Sequence, residues 1–234
     1  ADTLWVHGDT IRIHTLYINT DSVQREVYCY NHVRAYRNDL QAVCDSLVFH
    51  SADSCMTMYK DPVVWAQGNQ LLGEKIRVFM NDSTVRYAEV LGQALSVEQM
   101  RDSVHYNQIA SQDMRAYFVD GKLRENWAVS NVQIVYYPID DADTTIIGLN
   151  YTETDTLKMY LTPERKLYKI WMNASTGTFY PLTQTPPEKH KLPTFAWFDY
   201  MRPLSKDDIF IWKPKTAGTE LKEQKRREPP KRKM

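Results

Sequence analysis

Apolar residues recur at every second position in short stretches of this chain, and an acidic residue stands just ahead of each stretch. Asp9 precedes Ile11 and Ile13, Asp45 precedes Leu47 and Phe49, and Glu74 precedes Ile76 and Val78. Asp113 leads Met114 and Ala116, and Asp155 leads Leu157 and Met159. A period of two puts alternate side chains on one face of an extended strand, so each unit reads as a half-buried β-strand. The opposite face carries Arg12, Val48, Arg77, Arg115 and Lys158, so stacking the strands predicts a row of cations outside an apolar interior. The acidic positions lie 36, 29, 39 and 42 residues apart, too uneven for a strict solenoid but compatible with a coil whose turns carry insertions.

Between these units the turns are legible. Residues 51–54 form a turn and 55–59 the return strand with Met56 and Met58. Pro62 opens a strand at a position where its missing N–H is tolerated. Residues 81–83 and 162–164 are further turns. Asp120-Gly121 between alternating segments predicts a hairpin, with Phe118 before it and a return strand over 123–129. Residues 26–37 read as a strand pair and 131–137 as a separate strand. The polar stretch 96–108 reads as a short helix or a loop. From Pro181 the alternation stops. Pro181, Pro186, Pro187 and Pro193 mark an irregular segment whose aromatic cluster, Phe195 to Phe198, is expected to pack on the end of the sheet. Ser205 to Asp208 resembles a capping box ahead of one helical turn, with Asp in the fourth position. The expected organisation is an all-β domain over 1–180, a Pro/aromatic segment over 181–212 and a disordered basic tail over 213–234.

Composition narrows the class. The chain has 234 residues, 43% hydrophobic and 25% charged, with 15 Tyr, 6 Trp and only 8 Gly, a balance that favours strands in a soluble globular protein. The zero formal net charge hides an asymmetry, because residues 213–234 hold nine Lys/Arg against three Glu. With the basic surplus confined to a terminal tail, a dedicated nucleic-acid binder is not expected. No apolar run reaches the length of a membrane-spanning helix, and no signal peptide is visible ahead of the first strand.

No catalytic or metal site is expected. The six histidines form no HxxxH or HExxH pattern, and no GxSxG, GxGxxG or phosphate-binding loop occurs. Asp140, Asp141 and Asp143 lack the glycine and distal glutamate of a calcium loop and read as a solvated turn. Cys29, Cys44 and Cys55 permit at most one disulfide and read as packing residues. The recurrent acids are explained by hydrogen bonding to backbone N–H groups at strand corners. A carbohydrate-active enzyme would need clustered acids, whereas these are spaced one per repeat. The apolar stripe is then either plain core or the lining of a groove for acyl chains, and its methionines suit irregular ligands.

Several stretches resemble the OstA-like (LptA-like) family, in particular its longer Bacteroides-type variants. They are Val33-Arg-Ala with Cys44 to Phe49, Pro62 to Trp65 with Leu72 to Ile76, and Tyr106 to Ile109 with Asp113 to Phe118. Ser130-Asn-Val132, Tyr136-Tyr137, Ile147 to Asn150 and the ending Arg202-Pro203 with Asp208 to Phe210 continue the match over most of 3–212. The stretch 96–108 and the ending after Pro181 depart from the short members. The resemblance implies a β-jelly-roll of stacked, folded-over antiparallel strands in the periplasm, with no enzymatic activity and no cofactor. It implies binding of lipopolysaccharide or a related envelope lipid, docking to other transport-bridge proteins through edge strands, and head-to-tail self-association. The lining expected from alternation is Ile11, Ile13, Leu47, Phe49, Met56, Met58, Ile76, Val78, Met114, Phe118, Leu157 and Met159. Lys75, Arg86 and Lys122 are expected to meet lipid phosphates at the mouth. The competing expectation is a structural adaptor of an envelope complex with a filled core.

Overall fold

Left-handed backbone conformations at Asn31, His32, Gly92, Gln93, Ser130 and Asn131 bend three long strands near their middles and set the architecture. The computed structural model describes residues 3–81, 84–140, 142, 145–164, 166–216 and 221–224. The turn at 82–83, part of the acidic loop at 140–143 and much of the basic tail lie outside these residues.

The chain forms one 14-stranded antiparallel sheet folded over on itself. Its strands are β1 (Trp5–His7), β2 (Thr10–Leu16), β3 (Gln24–Arg37), β4 (Leu40–His50), β5 (Cys55–Tyr59), β6 (Val63–Ala66) and β7 (Asn69–Leu72). They continue as β8 (Lys75–Asn81), β9 (Thr84–Gln99), β10 (Tyr106–Val119), β11 (Lys122–Tyr136), β12 (Gly148–Leu161), β13 (Leu167–Asn173) and β14 (Thr176–Pro181). Each long strand contributes to two walls. The N-terminal half of β3 pairs with β2, and its C-terminal half pairs with β1. On β4, β5 takes one half and β6 the other. On β9 the partners are β8 and β7, and on β12 they are β13 and β14. The front wall therefore runs from β2 to β13 and the back wall from β1 to β14, joined along one corner line.

The recurrent acids lie on that line. Asp113 Oδ1 accepts the Gly92 N–H at 3.0 Å, Asp9 Oδ2 meets His32 Nδ1 at 2.8 Å, and Asp45 Oδ2 meets Lys60 Nζ at 3.1 Å. Gly92 is required there, since a Cβ would stand 2.6 Å from the Glu74 carboxylate and its φ is +71°.

Two apolar cores result. One lies between the walls. The other lies between the outer face of the back wall and the C-terminal segment, combining Val43, Trp65, Leu72, Leu95 and Val97 with Leu192, Phe198 and Met201. Residues 181–212, expected at the end of the sheet, instead form a strap across this outer face. Buried Gln70 and Gln108 hold it. Gln70 donates to Ala196 O (2.9 Å) and accepts from Phe198 N (2.7 Å), while Gln108 donates to His190 O (2.8 Å) and accepts from Leu192 N (2.8 Å). Arg202 Nε reaches Gln41 Oε1 at 2.7 Å in the same cross-strand row. The strap ends in the turn Asp208–Phe210, ahead of which Ser205 Oγ accepts from Asp208 N and Asp208 Oδ2 accepts from Leu204 N; the return bond reaches Leu204 and not Ser205, so the expected capping box is not formed as such.

Three sequence expectations change. Residues 96–108 hold no helix, and the loop expected there is confined to 100–105, because β9 continues to Gln99 and β10 starts at Tyr106. Residues 26–37 are one bent strand, and so are 123–129 with 131–136. The described tail residues 213–216 and 221–224 contact the body, with Lys215 Nζ 3.8 Å from an Asp61 carboxylate oxygen and Gln224 N 2.9 Å from Gln93 Oε1.

Candidate lipid-binding groove

Cross-strand register aligns the alternating apolar residues into two rows on the inner face of the front wall. One row runs Ile11, Cys29, Leu47, Met58, Ile76, Val90, Met114, Ala128, Leu157, Met172. The next runs Ile13, Val27, Phe49, Met56, Val78, Ala88, Ala116, Asn126, Met159, Ile170. Eleven of the twelve lining residues expected from the sequence fall in these rows, and Phe118 lies beyond them toward the rim. The back wall faces them with Val6, Ala35, Ala42, Val64, Leu71, Ser96, Ile109 and Ile134. Stacked apolar rows on both walls are the interior of a folded sheet, and the corner closes one side of it.

The rows differ in burial along their length. Leu47, Met56, Met58, Ile76, Val78, Met114 and Leu157 are almost fully buried, and Phe49 and Met159 pack against them half-buried. Ile11 and Ile13 have the expected orientation parity but are 47% and 62% exposed, because β2 is the last strand of its wall. At the other end Ile170 and Met172 are exposed for the same reason.

Between the walls lies a cavity of about 200 Å³. Ile76, Val78, Val90, Met114 and Phe118 line its front side, and Leu40, Val64 and Leu71 line its back. Arg37, Asp39, Gln67 and Asn69 on the back rim and Thr84, Gly121 and Leu123 on the front rim form its mouth. Arg37 is held there by Asp39, with Nε at 2.5 Å and Nη2 at 3.1 Å from the two carboxylate oxygens. Deep in the first core, burial pushes the Cys44 thiol pKa far upward and the nearby Cys29 adds to the shift, so this sulfur stays protonated and apolar. All three cysteines are buried free thiols.

The expected phosphate contacts are corrected in two of three positions. Lys75 shares the outward parity of Arg77 and stands near the corner, away from the mouth. Arg86 is displaced by the register shift after Phe79 and stacks on the outer face, 5.4 Å from the Phe79 ring centroid. Only Lys122, exposed beside the Asp120-Gly121 hairpin, is at the rim. The mouth residues Arg37, Asp39, Gln67 and Asn69 were not anticipated. Their available signal was the pair of turns at 38–39 and 67–68, where Gly68 has φ +86°.

Among the described residues no three His, Cys, Asp or Glu side chains group to hold a metal ion, and no helix is long and apolar enough to cross a membrane. The groove offers apolar contact area and a polar rim.

No family model and no curated protein matches this chain. Among solved structures it is similar to LptH, the LptA-homologous periplasmic component of the lipopolysaccharide transport device from Pseudomonas aeruginosa. Identity is 10%, the match covers 57% of this chain and 92% of that one, and the TM-score is 0.41.

Proposed function

We propose that this chain is a lipid-carrying module of lipopolysaccharide transport in the periplasm, holding acyl chain against the paired inner rows. The observation that carries this reading is the cavity between the walls, lined mainly by apolar side chains, with Ser96 and Asn126 the polar residues of its inward rows and the charged pair Arg37 and Asp39 at its mouth. Each CH₂ buried there contributes about 0.8 kcal/mol. The family resemblance of the sequence supplies the compartment and the lipid class. The exposed ends of the rows at β2 and β13, with their unpaired strand edges, suit the addition of a neighbouring strand from another bridge protein or a second copy.

The full burial of Leu47, Met58 and Leu157 favours a second reading, a structural adaptor whose interior is already filled by its own side chains. One experiment separates the two. The protein is purified from its native envelope, its bound lipid is analysed by mass spectrometry, and photo-crosslinkers are placed at Phe49, Val78 and Met114. Captured lipopolysaccharide at Val78 and Met114 supports the carrier. Absence of both copurified and crosslinked lipid leaves the adaptor.

A further inference from the structure

The two walls treat their outer faces differently. Beneath the strap, one outward row of the back wall is aliphatic, running Val43, Val63, Leu72, Leu95 and Ala110, and the next combines Trp65, Val97 and Val135 with the glutamines that hold the strap. Among the described residues the strap lies on the back wall and not on the outward rows of the front wall, and Val48 is the only aliphatic residue in the two front-wall rows that run from Arg12 to Trp171 and from His14 to Lys169. Aromatic rings and cations take the place of aliphatics there. Phe79, Tyr87, Tyr117 and Trp127 form a chain of ring contacts at 5.6, 5.0 and 5.1 Å between centroids.

The cations are held on these rings. Arg77 lies 4.8 Å from the Phe79 centroid, and Lys158 sits 3.8 Å from Trp127 and 5.4 Å from Trp171. The register places Arg77, Arg115 and Lys158 on every second strand, about 9.5 Å apart at the usual strand spacing. The acids among them are already engaged. Glu89 accepts from Tyr87 Oη at 2.7 Å and pairs with Arg77 at 3.3 Å, and Glu125 accepts from Trp127 Nε1 at 3.0 Å. At the β13 end Arg124, Glu125, Tyr160 and Tyr168 line a depression together with Val119 and Leu161.

We infer that this face binds an extended anionic polysaccharide. A strand face with cations on every second strand complements a chain of repeated negative charge. Ring edges and tyrosine hydroxyls suit a partner rich in hydroxyl groups, whereas two rows with Val48 as their one aliphatic residue offer little to a membrane interior. The inference does not depend on the lipid groove.

The full chain is titrated by calorimetry at fixed salt with polygalacturonate, neutral dextran, a single-stranded DNA oligonucleotide and phosphatidylglycerol vesicles. Saturable binding of polygalacturonate is expected, with none to dextran and at least tenfold preference over the oligonucleotide. Lys158→Ala and Trp171→Ala each weaken it at least fivefold, and Lys206→Ala, on the strap, leaves it unchanged. Trp171 is 44% exposed, so its removal spares the fold, and thermal melting checks that each variant remains folded. The inference is overturned by no polygalacturonate binding, by equal binding of the oligonucleotide, by binding of vesicles alone, or by affinity that both front-wall variants leave intact. The last result would assign the affinity to the basic tail.

Discussion

Gln70 and Phe198 are 128 residues apart in sequence and joined by a 2.7 Å hydrogen bond from the Phe198 N–H to the buried Gln70 side chain. With the return bond to Ala196 O, this one amide does for the strap what a paired strand would do. Replacing Gln70 by Leu leaves a buried N–H and C=O unpaired, at a cost of about 1–3 kcal/mol for each orphaned group. Urea unfolding of Gln70→Leu should show a lowered midpoint, and proteolysis should cut first within 182–200. Unchanged proteolysis would show that the strap is held by its apolar contacts alone.

Positions in one inward row should respond unequally to truncation. Met58 is fully buried and Ile11 is 47% exposed although both face the same way. Met58→Ala is expected to cost about 2–5 kcal/mol, and Ile11→Ala well under half of that, by chemical denaturation. Equal costs would mean that the β2 end is covered in solution, as by a second copy.

Gly92 is favoured for two separate reasons, its φ of +71° and the Glu74 carboxylate 2.6 Å from the position a Cβ would take. Gly92→Ala should destabilise by about 1–3 kcal/mol. The double variant with Glu74→Ala should recover the steric part and not the conformational part. Full recovery would remove backbone strain from the account.

Acid should loosen the rim of the back wall. The Asp102 carboxyl is held down to about 2, first by its His105 side-chain partner and then by the backbone N–H groups of His105 and Val104. A depressed carboxyl stabilises fully above its unfolded value of about 3.9 and loses that contribution as pH falls through the folded value. His190, bonded to Tyr137 Oη at 2.8 Å, is lowered by burial and by His105, so its contribution is complete above about 6.5 and is lost as pH falls below it. Melting temperatures should fall in two stages on acidification, and Asp102→Asn should remove the lower stage. A variant with the wild-type profile would dissociate Asp102 from acid sensitivity.

The front wall was legible in the sequence because one of its faces is dry and the other wet, so Ile11-Arg12-Ile13 and Ile76-Arg77-Val78 alternate cleanly. The back wall was not, because the strap buries its second face too. Residues 94–99 carry Leu95 and Val97 under the strap with Ala94 and Ser96 facing the groove, and alternation is erased. The same cover makes Gln70 and Gln108 look like surface residues when they are among the most buried. Alternation also encodes orientation and not coverage, so Ile11 and Ile13 were legible as inward but not as bare. Arg86 was misplaced because a register shift in β9 reverses its side, a local event with no composition signature.

The strap's partners give the chain a fixed order of assembly. Neighbouring strands of the sheet are close in sequence, so the walls can zip up as they emerge, whereas Gln70 must wait for Ala196, 126 residues later. Until then Leu95, Val97 and Trp65 are uncovered. A chain cut short before residue 190 would carry a complete groove on a sticky back, visible to quality-control proteases as unfinished.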